Sequence, residues 1–115
     1  MIVASLRLVV PQKRKAAEVL KTLRSLLGPI SAQPGCARCE IYRDVVDETV
    51  YLYLEEWGSL EQLERHIRSD HYRRLLAVME AASEQPEVRF DTVSQRQGFD
   101  LVEAIHSRPQ VRPAR

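Results

Sequence analysis

The chain of 115 residues is long enough for one hydrophobic core and too short for two. Its 17 basic and 16 acidic side chains leave a net charge of +1, which gives no electrostatic reason to expect nucleic acid as a partner. No apolar run approaches the roughly 20 residues of a membrane helix, and the first residues lack the features of a signal peptide. With two cysteines, we expect a cytoplasmic protein without a disulfide framework and without a membrane partner.

The first third of the chain predicts a strand followed by a helix. Residues 2–10 alternate as in a half-buried strand, which Pro11 ends. From Gln12 onward, apolar residues recur at three- and four-residue spacing, as on one face of a helix. Gly28-Pro29 predicts a stop or a kink, and a further turn before Pro34-Gly35 is left open.

A hairpin of two strands follows, over residues 36–45 and 48–57. In the second strand one face carries leucines and the other carries Tyr51, Tyr53 and Trp57. We expect the leucine face to point to an internal cavity, and the aromatic face, together with Tyr42, to lack cover from its own chain. A second copy of the chain is the simplest way to cover the aromatic face, so the pattern predicts a homodimer packed sheet against sheet.

The second half of the chain predicts two helices, a strand and a short last element. Ser59 and Ser69 are predicted to be the N-caps of the two helices, and Pro86 is predicted to end the second helix. Residues 87–93 alternate as in a strand. Residues 99–106 fit a strand or a helix, and residues 107–115 are predicted to be a loose tail.

The predicted order is strand, helix, strand, strand, helix, strand, which is the α+β, ferredoxin-like βαββαβ arrangement. We therefore expect one domain over residues 1–98, with residues 99–106 packing on the dimer and the tail beyond them.

Four short motifs resemble the antibiotic biosynthesis monooxygenase family, in its quinol monooxygenase-like form: Pro34-Gly35-Cys36, Glu56-Trp57, His66 and Ser69-Asp70-His71. The resemblance implies a dimeric α/β barrel with a cavity between the sheet and the helices. It also implies a monooxygenase that oxidises an aromatic phenol, anthrone or quinol with molecular oxygen and uses no cofactor and no metal. A non-catalytic dimeric domain that binds a small aromatic or hydrophobic molecule is the alternative.

A related branch of this family binds and degrades haem, through an Asn in the first strand and a His on the helix after the Ser-Asp break. The matching positions here are Leu6 and Leu76. The resemblance therefore disfavours haem as a ligand.

His66 is the candidate catalytic residue. Its helical spacing places it with Leu63 and Ile67, toward the interior, where it is either a core histidine or a general base. Trp57 and Tyr72 are the candidate substrate-binding residues at the rim of the cavity, with core or interface packing as the other interpretation.

The pair Cys36 and Cys39 has the C-x-x-C spacing of redox dithiols and zinc half-sites. On a regular strand, residues three apart point to opposite faces, which favours two small buried side chains. A metal site of His66, Asp70 and His71 is also disfavoured, because the helix break at Ser69 separates them. No metal is therefore expected.

Overall fold

The computed structural model describes residues 1–82 and 84–109. Eight elements follow one another: β1 (Ile2–Val9), α1 (Lys13–Ser31), β2 (Cys36–Arg43), β3 (Val50–Trp57), α2 (Leu60–Ile67), α3 (Asp70–Glu80), β4 (Glu87–Thr92) and α4 (Phe99–His106). The predicted order is confirmed, and the ambiguous last element is a helix.

The four strands form one sheet in the order β2-β3-β1-β4, and all neighbouring strands are antiparallel. Helices α1, α2 and α3 contribute buried side chains to one core with β1 and β3. This is the ferredoxin-like α+β fold that the sequence predicted. Within the described residues, no helix is long and apolar enough to cross a membrane.

The two faces of β3 are the reverse of the sequence prediction. Tyr51, Tyr53 and Trp57 are buried against the helices, whereas Leu52 and Leu54 lie on the opposite face. The register explains the difference, because these aromatic residues pair with the buried positions of β1, namely Ile2, Leu6 and Leu8. Packing three large rings against helices removes more apolar surface from water than packing two leucines would.

The helix-covered core runs along α1, whose buried residues are Ala16, Val19, Leu23, Leu26 and Ile30. This helix continues through Gly28 and Pro29 to Ser31, so the predicted stop does not occur and the further turn forms. The predicted caps do form, since the Ser59 and Ser69 side chains accept hydrogen bonds from the backbone N–H groups of Gln62 and Tyr72.

Helix α4 differs from the other helices because it has no buried residue. Its apolar side chains are exposed: Phe99, Leu101, Val102 and Ile105. The radius of gyration is 18.0 Å, whereas a compact domain of this length has about 13 Å. Of the predicted tail, residues 110–115 lie outside the described part of the chain.

Candidate functional site

A buried carboxylate, Glu55 on β3, is the centre of the candidate site. Its side chain is 2% exposed. Tyr53 donates a hydrogen bond of 2.5 Å to Oε2, and the indole N–H of Trp57 donates one of 2.9 Å to Oε1. All three residues share the helix-facing side of β3, because they stand two apart on a strand.

His66 completes this cluster from α2. Its Nε2 lies 2.9 Å from Oε2 of Glu55, and its ring is stacked on Trp57 at a centroid distance of 4.6 Å. Tyr72 of α3 meets the ring edge-on at 5.4 Å. The imidazole is thus fixed by two aromatic rings and a carboxylate, and its side chain is fully buried.

The second ring nitrogen of His66 contacts Gln33, in the turn between α1 and β2. The distance from Nδ1 to Oε1 of Gln33 is 3.0 Å, and Nε2 of the same carboxamide lies 3.1 Å from Nδ1 of His71. A chain of polar contacts therefore runs from Glu55 through two histidines to the beginning of α3.

Gly35 fixes the turn that carries Gln33. Its φ of 88° lies in the left-handed region, and a Cβ there would come within 2.1 Å of the Gln62 side chain. The turn is further held by hydrogen bonds from Cys36 N–H to the Gln33 carbonyl and from Gly58 N–H to the Gly35 carbonyl, of 3.1 Å and 2.9 Å. The Pro-Gly pair of the sequence motif thus has a structural role in placing Gln33.

A cavity lies beside Glu55, between the sheet and α3. It is narrow, with about 20 Å³ of space inside it and about 260 Å³ when the solvent in its open mouth is counted. Its polar lining includes Tyr53, Glu55 and Tyr72, and its apolar lining includes Leu6, Leu75, Met79, Val88 and Phe90. An apolar cleft with a few convergent polar groups is the usual form of a small-molecule site.

The short polar contacts of the cluster show where its hydrogens lie. Because two electronegative atoms 2.9 Å apart need a hydrogen between them, Glu55 Oε2 and His66 Nε2 share a proton. Burial, followed by the charge of Glu55, raises the pKa of both Tyr53 and Tyr72 above the ordinary value for tyrosine. Both phenols therefore remain neutral donors near neutral pH.

The two cysteines lie on the same side of β2, contrary to the prediction that they diverge. An irregularity between Cys36 and Arg38 shifts the register, so that Cys36 pairs with Trp57 and Cys39 with Glu55, both on the helix-facing side. Cys39 Sγ lies 3.2 Å from the Tyr53 hydroxyl. Burial raises the pKa of Cys39 to about 11, so this thiol is a neutral donor at the edge of the cluster.

The structure brings the three predicted site residues together, in positions that differ from the prediction. His66 is buried as expected, and Tyr72 lines the cavity. Trp57 lies neither at a rim nor at an uncovered seam, because it is fully buried beneath His66. No group of three or more His, Cys, Asp or Glu among residues 1–82 and 84–109 could hold a metal ion.

Sequence reasoning missed Glu55 and Gln33. The signal for Glu55 was present in the stretch YLYLEEW, where Tyr53, Glu55 and Trp57 alternate on one face. The family motif was assigned to Glu56-Trp57, although Glu56 points to the opposite side of the sheet. No periodicity marks Gln33, because it lies in a turn.

The family model for antibiotic biosynthesis monooxygenases matches residues 1–78, which include β1, α1, the hairpin, α2 and most of α3. The chain belongs to this family. All of the cluster around Glu55 lies within the matched region. A comparison with curated proteins finds no significant match.

Solved structures share the fold at low sequence identity. A conserved protein from Methanosarcina mazei is 24% identical, with a TM-score of 0.72 over 78% of this chain and 89% of its own. Rv0793 from Mycobacterium tuberculosis is 20% identical, with a TM-score of 0.73 over 85% of this chain and all of its own. A candidate antibiotic biosynthesis monooxygenase from Deinococcus radiodurans is 13% identical, with a TM-score of 0.77 over 85% of this chain and 97% of its own.

Proposed function

We propose that this chain is a cofactor-independent monooxygenase that oxidises an aromatic phenol, anthrone or quinol with molecular oxygen. The observation that carries the proposal is the buried Glu55–His66 pair at the wall of an apolar cavity. Membership of the monooxygenase family supports the reaction class, and the pair supplies the base that the reaction needs.

The reaction begins when the Glu55–His66 pair removes a proton from the substrate. Glu55 faces the cavity and accepts the proton, and His66, the predicted base, holds it from behind through the 2.9 Å contact. The electron-rich substrate anion then reduces oxygen and forms a C–O bond at a ring carbon that carries hydrogen. The resulting peroxide anion takes back the proton from the pair and becomes C–OOH. Loss of that hydrogen as a proton breaks the O–O bond, leaving a C=O group and one molecule of water.

The cavity dimensions favour a small substrate within the proposed class. The space inside the cavity is about 20 Å³, which is room for about one water molecule, so an aromatic ring enters only if the walls of the cavity move apart. A one- or two-ring quinol requires less of this opening than a polycyclic anthrone does. Tyr72 is proposed to contact the ring, whereas Trp57 acts from beneath by orienting Glu55 and His66.

We also propose that the active form is a homodimer in the cytoplasm. The sequence predicted a dimer because an aromatic face of the sheet was expected to lack cover. That argument does not hold, because Tyr51, Tyr53 and Trp57 are buried within the chain. Two observations support the proposal instead. The apolar side chains of α4 are exposed, and no helix of the core cluster covers the face with Leu52 and Leu54.

Oxygen uptake with a panel of hydroquinones, naphthoquinols and anthrones tests the activity. We expect turnover without added flavin, haem or metal, and a loss of about a hundredfold for His66→Ala. His106→Ala, at the end of α4 and outside the cavity, is the matched histidine control and should retain full activity when sedimentation shows that it is still a dimer. Turnover of a quinol that His66→Ala leaves unchanged would show that the Glu55–His66 pair is not the base.

A second candidate, a non-catalytic dimeric domain that binds a small hydrophobic ligand, is favoured by the predominantly apolar cavity lining. If no member of the panel is consumed while the same compounds bind in a calorimetric titration, this candidate replaces the first. Tyr72→Phe tests the ring contact under either candidate, since it should weaken binding of a hydroxylated ring more than binding of an unsubstituted one.

A further inference from the structure

The inside of the cavity beside Glu55 is too small for an aromatic ring and large enough for one small molecule. It measures about 20 Å³, whereas a single water molecule needs about 10–15 Å³, and the margin suits a molecule of two atoms. The mouth is marked by Val88 and Phe90 of β4, because these lining residues are exposed. A ring meets these two side chains first, and only a small molecule reaches the inner space without displacing the walls.

The walls of the inner space offer little to a water molecule. A buried water usually makes about two to four hydrogen bonds to polar groups that lack another partner. Here the Glu55 carboxylate already accepts hydrogen bonds from Tyr53 and Trp57 and contacts His66. Among residues 1–82 and 84–109, every buried side-chain nitrogen and oxygen atom has a hydrogen-bond partner. The apolar part of the lining, which favours a dry space, includes Ala4, Leu6, Leu75 and Met79.

We propose that this inner space is a binding site for molecular oxygen. Oxygen is small and apolar, so its transfer from water into an apolar space is favourable, and there it gains dispersion contacts with the walls. Its binding depends on size and polarity alone, and requires neither turnover nor a second reactant. Oxygen therefore binds to the resting protein, before a quinol widens the mouth.

The position of the site gives it a role in the reaction, and that role rests on the proposed function. Glu55 and Tyr53 belong to the cavity wall, so bound oxygen lies beside the Glu55–His66 pair. When the substrate anion forms a bond with oxygen, negative charge develops on the outer oxygen atom. A proton held next to that atom stabilises the charge as it develops. The site thus holds oxygen where the peroxide is formed and protonated.

Methyl NMR of the full chain under oxygen pressure tests the binding, because oxygen is paramagnetic and accelerates the relaxation of nearby protons. Two pairs of leucines match in burial: Leu6 and Leu63 are each 3% exposed, and Leu75 and Leu26 are 1% and 0% exposed. Only the first leucine of each pair lines the cavity. We expect oxygen to accelerate its relaxation more than that of its match, with no quinol present. Equal acceleration within both pairs would overturn the proposal.

A variant that fills the cavity gives the second test. Ala4, in the cavity wall and 8% exposed, becomes larger by two carbon atoms in Ala4→Val, and valine suits a strand. Ala16→Val, at a 9% exposed position outside this cavity, is the matched control. We expect Ala4→Val to lose the excess relaxation at Leu6 and Leu75, and Ala16→Val to keep it. An excess that survives in Ala4→Val would contradict the site. If that variant does not fold, the leucine pairs of the unaltered protein decide.

Oxygen uptake separates the failure of this inference from the failure of the proposed function. If the cavity leucines respond to oxygen but no quinol is consumed, the binding site stands and the proposed reaction is wrong. If a quinol is oxidised while the leucine pairs respond equally, the reaction stands and the site is wrong. Where both stand, Ala4→Val should raise the KM for oxygen more than the KM for the quinol. A larger rise in the KM for the quinol would contradict the role of the site in the reaction.

Discussion

Two adjacent glutamates on β3 occupy opposite faces of the sheet and illustrate two ways to keep a carboxylate out of water. Glu56 is bound by cations, with Arg96 at 2.9 Å and Arg38 at 3.5 Å. Glu55 has no arginine or lysine partner among the described residues, and is instead contacted by Tyr53, Trp57 and His66. A carboxylate held by two guanidinium groups is neutralised in place, whereas one held by neutral donors and a histidine can exchange a proton.

The difference between the partners of Glu55 and Glu56 shows which buried carboxylate is structural and which is available for chemistry. Burial alone does not separate them, since both glutamates are buried. The partners do, because arginine remains protonated at any relevant pH and histidine does not. The cavity is also on the Glu55 side.

The largest expected effect concerns the helix-covered face. Trp57→Ala removes a fully buried ring that supports His66 and Glu55, so we expect a loss of about 3–5 kcal/mol in the free energy of unfolding. Tyr42→Ala, on the other face and 42% exposed, should cost less than about 1 kcal/mol at concentrations at which the chain is a monomer. Chemical denaturation measures both, and equal costs would contradict the assignment of the faces.

The glutamate pair itself gives the next comparison. Glu55→Gln keeps the shape but cannot take a proton, so we expect turnover of a quinol to fall about a hundredfold. Glu56→Gln is the matched control and should keep its activity, because its contacts are with Arg38 and Arg96. Steady-state oxygen uptake checks both. If Glu56→Gln is the more damaging change, the division between the two glutamates is wrong.

The sequence was sufficient for the element order, the caps at Ser59 and Ser69, and the inward position of His66. These features depend on local spacing, which the sequence displays directly. The orientation of β3 was not recoverable in this way, because both of its faces are largely apolar and the pairing with β1 decides between them. Gln33 joins the site from a turn, and the irregularity beside Cys36 aligns two cysteines that a regular strand would separate.

A smaller effect is expected at α4, whose apolar residues we propose to lie in the dimer. Phe99→Asp combined with Ile105→Asp should weaken dimerisation at least tenfold, or about 1.4 kcal/mol. The unfolding of the monomer should be unaffected, because α4 has no buried residue. Val45→Asp combined with Val46→Asp, in an exposed hairpin, is the control for added charge. Sedimentation equilibrium measures the change, and identical dissociation constants for both variants would contradict a role of α4.

The smallest effect concerns Cys39, at the edge of the cluster. Cys39→Ser should leave activity intact and cost about 1 kcal/mol, since a hydroxyl can also donate to Tyr53 but fits the apolar surroundings less well.

Burial raises the pKa of Cys39 from 9.0 to about 11. Its contribution to stability is therefore complete below pH 9 and is lost as pH rises toward 11, because the unfolded chain releases the proton first. The unfolding free energy, measured from pH 8 to pH 11, should fall less steeply in Cys39→Ser than in the unaltered protein. Cys36→Ser, which has no contact with Tyr53 among the described hydrogen bonds, should change this slope less. Equal slopes in the unaltered protein and Cys39→Ser would show that the thiol is not held neutral by the cluster.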